Sequence, residues 1–298
     1  MKLINFHPPK GSLIEFEISD AKYTELKNAR QVLVKIFDAE NLFDQLIESY
    51  LDAKTAMYES SIRLLADCSD HDYVKSYLYR SKLNRLFFNA LNFSKLYLDK
   101  SFFSKNNTSL VKRLTKSDKL HELVSKYREV VSTKEYELGC QLRNYVQHDS
   151  LPVDSYTTGV RHDLESEVSF SVFHIPLNMK KLRKSSTIKN RLLGEFSESI
   201  DFHEVMDGYI LALSKMHYYN RELLNETEKK AIQIINQNLS AFNEKLGVGS
   251  GHQIIDKKTR EIEFSIGIEW FDVVNHLKSK NRRPIDFKRF THSPYKRG

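Results

Sequence analysis

Residues 202–246 read FHEVMDGYILALSKMHYYNRELLNETEKKAIQIINQNLSAFNEKL. Val205, Ile210, Leu213, Met216, Leu223, Ile232, Ile235, Leu239 and Phe242 recur largely at three and four residues, which puts them on one stripe of a long helix or helix pair. Gly247, Gly249 and Gly251 end the pattern. Beyond them, strand HQII (252–255), turn DKKT (256–259) and strand EIEFSIGIEW (261–270) read as a β-hairpin, followed by a short helix and a basic tail.

Upstream of the long stretch the same helical period dominates. Asp20 can cap a pattern that includes Leu26, Val32, Leu33, Ile36 and Phe37, and the pattern continues from Leu42 to Leu65. The polar cluster Asp67 to Asp72 reads as a turn. Helical spacing resumes from Tyr73 to Phe103, with Leu83, Leu86, Phe87, Leu91 and Leu96 on the apolar side. Ser117 to Val131 and Thr133 to His148 form two shorter helical segments, the second closed by Pro152 because the residue before a proline is pushed out of the α region. The period changes to two in Tyr156 to Val160 and Glu167 to Ile175, a small hairpin closed by Pro176, and helical spacing returns from about Thr187 to Phe196. A short strand-like alternation (Leu13, Glu15, Phe16, Ile18) precedes the first helix. The fold class is therefore mainly α, a helical bundle with small β-hairpin additions. Its expected division is a helical domain at 1–246 with a hairpin inserted around 155–176, and a carboxy-terminal part at 247–298.

Composition removes several function classes. Of the 298 residues, 40% are hydrophobic, enough for a core without covalent staples, and two cysteines, Cys68 and Cys140, cannot build a four-cysteine zinc site. A reducing cytoplasmic setting and no membrane partner are expected, since the first residues lack a signal-peptide core and no apolar run nears the roughly 18 residues of a span. The net charge is +7. Residues 278–298 carry eight Lys/Arg against Asp286 alone, which accounts for all of it. Local runs are more informative than the total. From Val168 to Gly194 there is no acid, and Lys180, Lys181, Arg183, Lys184, Lys189 and Arg191 form a basic run of the kind that binds phosphates. A second acid-free run, Lys100 to Ser117, is expected on a loop between helices. Several catalytic signatures fail. Gly247-x-Gly-x-Gly251 lacks dinucleotide spacing and follows a helix, where glycines terminate. His203-Glu204 has Asp207 where a zinc-binding histidine would stand. Asp67, Asp70, His71 and Asp72 could attract a divalent cation, but acidic residues gather at helix N-termini, and capping is the stronger reading. There is no P-loop lysine and no nucleophile elbow.

One constellation survives. In Cys140 to Val153, CQLRNYVQHDSLPV, a helical wheel gathers Leu138, Leu142, Tyr145 and Val146 on one side and Arg143, Asn144, Gln147 and His148 on the other. Asn144 and His148 are one turn apart and can touch. Arg143 and His148 are five residues apart, about 140° around the helix, so one straight helix does not aim both at one atom. Two copies across a twofold axis could share them in one cleft. An arginine and a histidine suffice to cleave RNA without metal, because the 2′-hydroxyl is an internal nucleophile. The imidazole moves a proton, for on the order of 10² to 10⁴ in rate. The guanidinium fork stabilises charge on the phosphate, and Asn144 can orient the imidazole or bond the phosphate. Arg161-His162 and His174 could approach the same cleft, although a place on a loop or sheet edge suits them better.

Arg143-Asn144-Tyr145-Val146-Gln147-His148 resembles the motif of the HEPN superfamily (higher eukaryotes and prokaryotes nucleotide-binding), α-helical domains whose ribonuclease members carry R-x(4 to 6)-H with a polar residue after the arginine. The strict form R-N-x-x-x-H is expected by chance about 0.04 times in this composition. The resemblance covers the motif and its helix, and more loosely the surrounding helices. It implies a homodimeric, cofactor-free, metal-independent endoribonuclease acting on RNA in toxin or antiviral defence systems, with Arg143, Asn144 and His148 catalytic and the 180–191 run holding RNA. A nucleotidyltransferase or antitoxin partner is also implied. From a different class, the rival reading is a non-catalytic helical scaffold that uses the same basic patch for nucleic acid or protein.

Overall fold

The computed structural model describes residues 2–7, 14–67, 72–102, 109–115, 127–165, 167–246 and 250–287. It is mainly helical with two small antiparallel sheets, as the periodicity predicts. The helices are α1 (Asp20–Asp67), α2 (Tyr73–Ser101), α3 (Leu110–Thr115), α4 (Lys134–His148), α5 (Met179–Lys184), α6 (Asn190–Leu193), α7 (Phe202–Leu246) and α8 (Asp272–Lys280). The strands are β1 (Lys2–His7), β2 (Ile14–Ile18), β3 (Thr157–Asp163), β4 (Val168–His174), β5 (Ser250–Asp256) and β6 (Ile262–Ser265).

The chain divides into two compact units, each assembled from three segments. One comprises Met1–Asn41, Thr108–Asp118 and Asn220–Arg282, the other Leu42–Asn107, Lys119–Tyr219 and Arg283–Gly298. The cut expected at 246/247 separates residues that a sheet joins. In the first unit the strand order is β2-β1-β5-β6, and β1 pairs antiparallel with β5 through Ile4 opposite Ile254. Backbone pairing between the two ends of the chain leaves no periodic trace in either strand alone, so the sequence shows β2 and the β5–β6 hairpin but not their union. Phe16 packs on Phe242 (ring centroids 5.4 Å) and Phe37 on Trp270 (5.8 Å), while Arg221 donates to Glu40 at 2.8 Å.

The second unit holds the larger core. Phe43, Leu46, Ile47 and Tyr50 of α1 meet Leu83, Phe87 and Leu91 of α2, Leu138 and Leu142 of α4, and Phe202, Met206 and Ile210 of α7, all almost completely buried. Each such side chain contributes about 1.5–3 kcal/mol relative to exposure. A buried polar network lies beside this apolar cluster. Asp207 accepts from Tyr50 Oη at 2.6 Å and from Lys54 Nζ at 3.0 Å, and Asp201 faces His174 Nδ1 at 2.7 Å. His203 and Asp207, set aside above as a failed zinc motif, are thus both members of a buried ionic cluster.

Several local expectations shift. Ser19, not Asp20, caps α1: its Oγ accepts from the Lys22 amide at 3.2 Å, and Asp20 occupies the first turn, where the helix dipole favours an acid. Asp72 caps α2 by accepting from the Lys75 amide at 2.6 Å; Asp70 and His71 lie outside the described residues. Lys112 and Arg113 sit on α3 rather than on a loop. The expected helix at Ser117 to Val131 is described only at 127–131, which is helical. The helical spacing expected from Thr187 to Phe196 resolves into the four residues of α6, preceded by a helix the apolar pattern did not reveal, α5. Its signal is Asn178, whose Oδ1 accepts from the Lys181 amide at 3.1 Å.

Candidate functional site

The motif helix α4 starts after Thr133, with Glu135 and Glu137 in the first turn where the dipole favours them, and it ends at His148. Tyr136, Leu138, Leu142, Tyr145 and Val146 are buried, whereas Asn144, Gln147 and His148 are exposed and Arg143 is half-buried. The two faces are those of the helical wheel. The exit from α4 is fixed by Asn84 of α2, whose amide donates to the Val153 carbonyl and accepts from the Val153 amide, both at 2.9 Å. Gln147 Nε2 donates to Asn92 Oδ1 at 2.7 Å, a second tie to α2.

On the polar face, Arg143 Nη1 donates to Asn144 Oδ1 at 2.6 Å. Asn144 and His148, one turn apart and able to touch, make no hydrogen bond among the described contacts. Arg143 Nε is buried and has no acceptor among the described residues. His148 lies exposed in the last turn and has no hydrogen-bond or ion-pair partner there either. Arg161 and His162 are exposed on β3, where His162 Nδ1 and Ser169 Oγ are 3.1 Å apart, and His174 is held by Asp201. Neither histidine joins the Arg143 face through any described contact.

The basic run separates into two kinds of cation. Lys181 is bonded to Asp154 at 2.7 Å, which raises its pKa, Arg183 is paired with Glu198, and Lys189 Nζ is 3.7 Å from Glu137. Lys180, Lys184 and Arg191 are exposed and have no carboxylate partner among the described residues. The run is fastened to α4 at two points. The Lys189 amide donates to Gln141 Oε1 at 2.7 Å, and Asp149, directly after His148, accepts from Thr187 Oγ1 at 2.8 Å and from Ser185 Oγ. These hydroxyls, Ser185 first, hold the Asp149 carboxyl below the usual carboxylate range.

The structure therefore fastens the basic run to α4 and to the residue that follows it, some forty residues earlier in the chain, through Gln141 and Asp149. Sequence reasoning missed the link between them. Its trace is the hydroxyl trio Ser185-Ser186-Thr187 inside an acid-free run, together with an aspartate at the carboxy-terminal end of a helix, where the dipole opposes it.

Elsewhere in the second unit, a cleft of about 480 Å³ is lined by Lys134, Glu135, Phe196, Ile200, Glu204 and Asp207. It borders the first turn of α4, roughly 20 Å along the helix from His148 at 1.5 Å per residue, so it is separate from the motif. Among the described residues no group of three or more His, Cys, Asp or Glu side chains could hold a metal ion, and no helix is long and apolar enough to cross a membrane. Compared with family models, with curated proteins and with solved structures, the chain matches none.

Proposed function

We propose that the chain is a metal-independent endoribonuclease of HEPN type, in which Arg143 and Asn144 hold the scissile phosphate, His148 transfers a proton, and Lys180, Lys184 and Arg191 bind the RNA backbone. The observation that carries this reading is the tethering of the basic run to the His148 end of α4. It joins the segment that carries Lys180, Lys184 and Arg191 to Asp149, the residue that follows the exposed His148. Arg143 supports it further. The side chain is half-buried, and its planar fork suits two phosphoryl oxygens. Asn144 fixes the guanidinium through Nη1 and thereby orients the fork.

The chemistry follows from these groups. A 2′-hydroxyl attacks its own phosphorus in line, the 5′-oxygen leaves, and a 2′,3′-cyclic phosphate results. The imidazole accepts or delivers the proton, and the arginine stabilises the added negative charge of the transition state. Because Arg143 and His148 diverge by about 140° on the helix, the reading requires two copies of α4 across a twofold axis, with the arginine of one and the histidine of the other on the same phosphate. Defence by cleaving RNA inside the cell, as a toxin or antiviral effector, is the corresponding role.

The deciding experiment incubates the purified chain and its His148→Ala form with end-labelled RNA in chelator. Cleavage with cyclic phosphate ends by the wild type, lost by about 10² to 10⁴ in the variant while RNA binding persists, is the expected result. Equal cleavage by both refutes the assignment of His148. Binding without cleavage by either returns the chain to the scaffold reading.

A further inference from the structure

A carboxylate at the carboxy-terminal end of a helix faces the negative pole of the dipole, so an aspartate there needs donors from elsewhere. Asp149 is such a residue. Its backbone amide closes the last turn of α4 on Tyr145 O at 2.8 Å, and its Oδ2 accepts from both Ser185 Oγ and Thr187 Oγ1. The two hydroxyls lie 2.6 Å apart, and Ser185 Oγ also accepts from the Thr187 amide at 3.0 Å. One carboxylate thus organises the turn between α5 and α6. Two residues on, the Lys189 amide is held by Gln141, which is itself buried and donates to Glu137 at 3.1 Å. Lys184 immediately precedes this turn and Arg191 follows it by four residues from Thr187. The clasp shares the anchoring of this segment with Asp154, which binds Asn178 and Lys181, with Glu137 near Lys189, and with the buried Leu182, Ile188 and Leu192, but it alone ties the turn to the residue next to His148 among the described contacts.

We propose that Asp149 is a positioning residue that clasps the Ser185–Thr187 turn to the end of α4 and so sets the register between the phosphate-binding cations Lys184 and Arg191 and His148. This inference rests on the ribonuclease reading for its functional consequence, and on geometry alone for the clasp. Asp149 touches no substrate in this scheme; it acts through the turn.

The test uses the full chain in two measurements. Hydrogen exchange of the Thr187 and Lys189 amides reads the clasp, and anisotropy of a labelled single-stranded RNA in chelator reads affinity. Asp149→Ala is expected to speed exchange at both amides by about tenfold or more and to weaken RNA binding by on the order of tenfold, since cations out of register release fewer counterions. The double variant Ser185→Ala with Thr187→Val should reproduce both changes, and adding Asp149→Ala to it should change neither further. Asp149→Asn keeps an acceptor and should fall between. Lys184→Ala, which removes a phosphate contact without touching the clasp, should weaken binding and leave exchange as it was. Unchanged exchange in Asp149→Ala overturns the clasp. Faster exchange with affinity within twofold of wild type overturns its positioning role. A wild type that binds RNA without cutting it refutes the ribonuclease reading yet leaves this inference intact, whereas a wild type that binds no RNA refutes both.

Discussion

Lys54→Met in the second unit should be one of the most destabilising single changes in the molecule. Methionine keeps the length and most of the stem of lysine, so the change removes a charge and a donor without opening a large cavity. Lys54 and Asp207 are only 5% and 3% exposed, and the ammonium sits 3.0 Å from Asp207 Oδ2. Without it the carboxylate keeps the Tyr50 hydroxyl at 2.6 Å, while His203 Nδ1 stands off at 3.8 Å. Breaking a buried pair from one side costs about 3–5 kcal/mol, whereas replacing both members by apolar groups is often neutral or better. Lys54→Met with Asp207→Leu should therefore recover at least half of the loss. Burial on its own would raise the Asp207 pKa, but His203, Lys54 and Tyr50 together bring it below the ordinary value. A carboxyl with a depressed folded pKa contributes stability that is present above its unfolded value, near 3.9, and lost as pH falls through the folded one. The difference between wild type and Lys54→Met should be full above the folded pKa of Asp207 in the variant and shrink as pH falls from there through the depressed wild-type one, because a protonated Asp207 no longer needs the ammonium. Urea unfolding followed by circular dichroism measures the cost. The single tryptophan, Trp270, lies in the other unit and reports whether the loss stays local. A cost below about 1 kcal/mol, or a double variant no better than the sum of the singles, would refute the argument.

Gly139 is the close-approach point between α4 and α7. An added Cβ would stand 2.3 Å from Tyr209 Cγ, and that ring is buried with its hydroxyl bonded to Ser94. Gly139→Ala should lower stability by about 1–3 kcal/mol even though alanine is the better helix former by up to about 1 kcal/mol, and a urea midpoint at or above that of wild type would contradict the close fit. The division of the basic run also has a measurable consequence. On the proposed reading, Arg143 and the three unpaired cations on a single strand give a slope of log K against log salt of about −3, whereas seven, with Lys181, Arg183 and Lys189 as well, would give about −5. Anisotropy titrations over a range of salt concentrations decide between them, and the steeper slope would show that the ion pairs of Lys181, Arg183 and Lys189 open on binding.

Much of the fold is legible in the sequence because it depends on local period. The stripe through Val205, Leu213, Met216 and Phe242 specifies α7, and the alternation EVSFSVFHI specifies β4. Boundaries follow where a breaker or cap is present, as with Pro152 and Asp72. What stays hidden is pairing at a distance. Nothing in KLINFH announces that it will lie against SGHQIID, because a two-residue period states only that a strand has two faces and not which strand adjoins it. The interleaved units follow from that one pairing, since joining the two ends of the chain in a sheet takes part of α1 and of α7 with it. Helices α5 and α6 are hidden for another reason: six and four residues are too few turns for a stripe, so only Asn178 at the cap marks the first of them.

The site divides along the same line. The polar face of α4 could be read because a helical wheel needs only neighbours in sequence, and Arg143, Asn144, Gln147 and His148 do stand clear of the buried face. Their partners could not be read. The Asn144 amide has a choice between Arg143, beside it, and His148, one turn on. Its oxygen accepts from the arginine, and no described hydrogen bond joins it to the imidazole. On the ribonuclease reading, substrate or a second copy of the chain would orient His148, whose described interaction is with the neighbouring Asp149 carboxylate. The cations Lys184 and Arg191 lie either side of the clasp and have no carboxylate of their own among the described residues. Exposed cations are satisfied by water with or without a carboxylate beside them, so the ion pairs of Lys181 and Arg183 make these two less available to an incoming anion than Lys184 and Arg191. On the ribonuclease reading, Lys180, Lys184 and Arg191 are the members of the run open to a phosphate backbone.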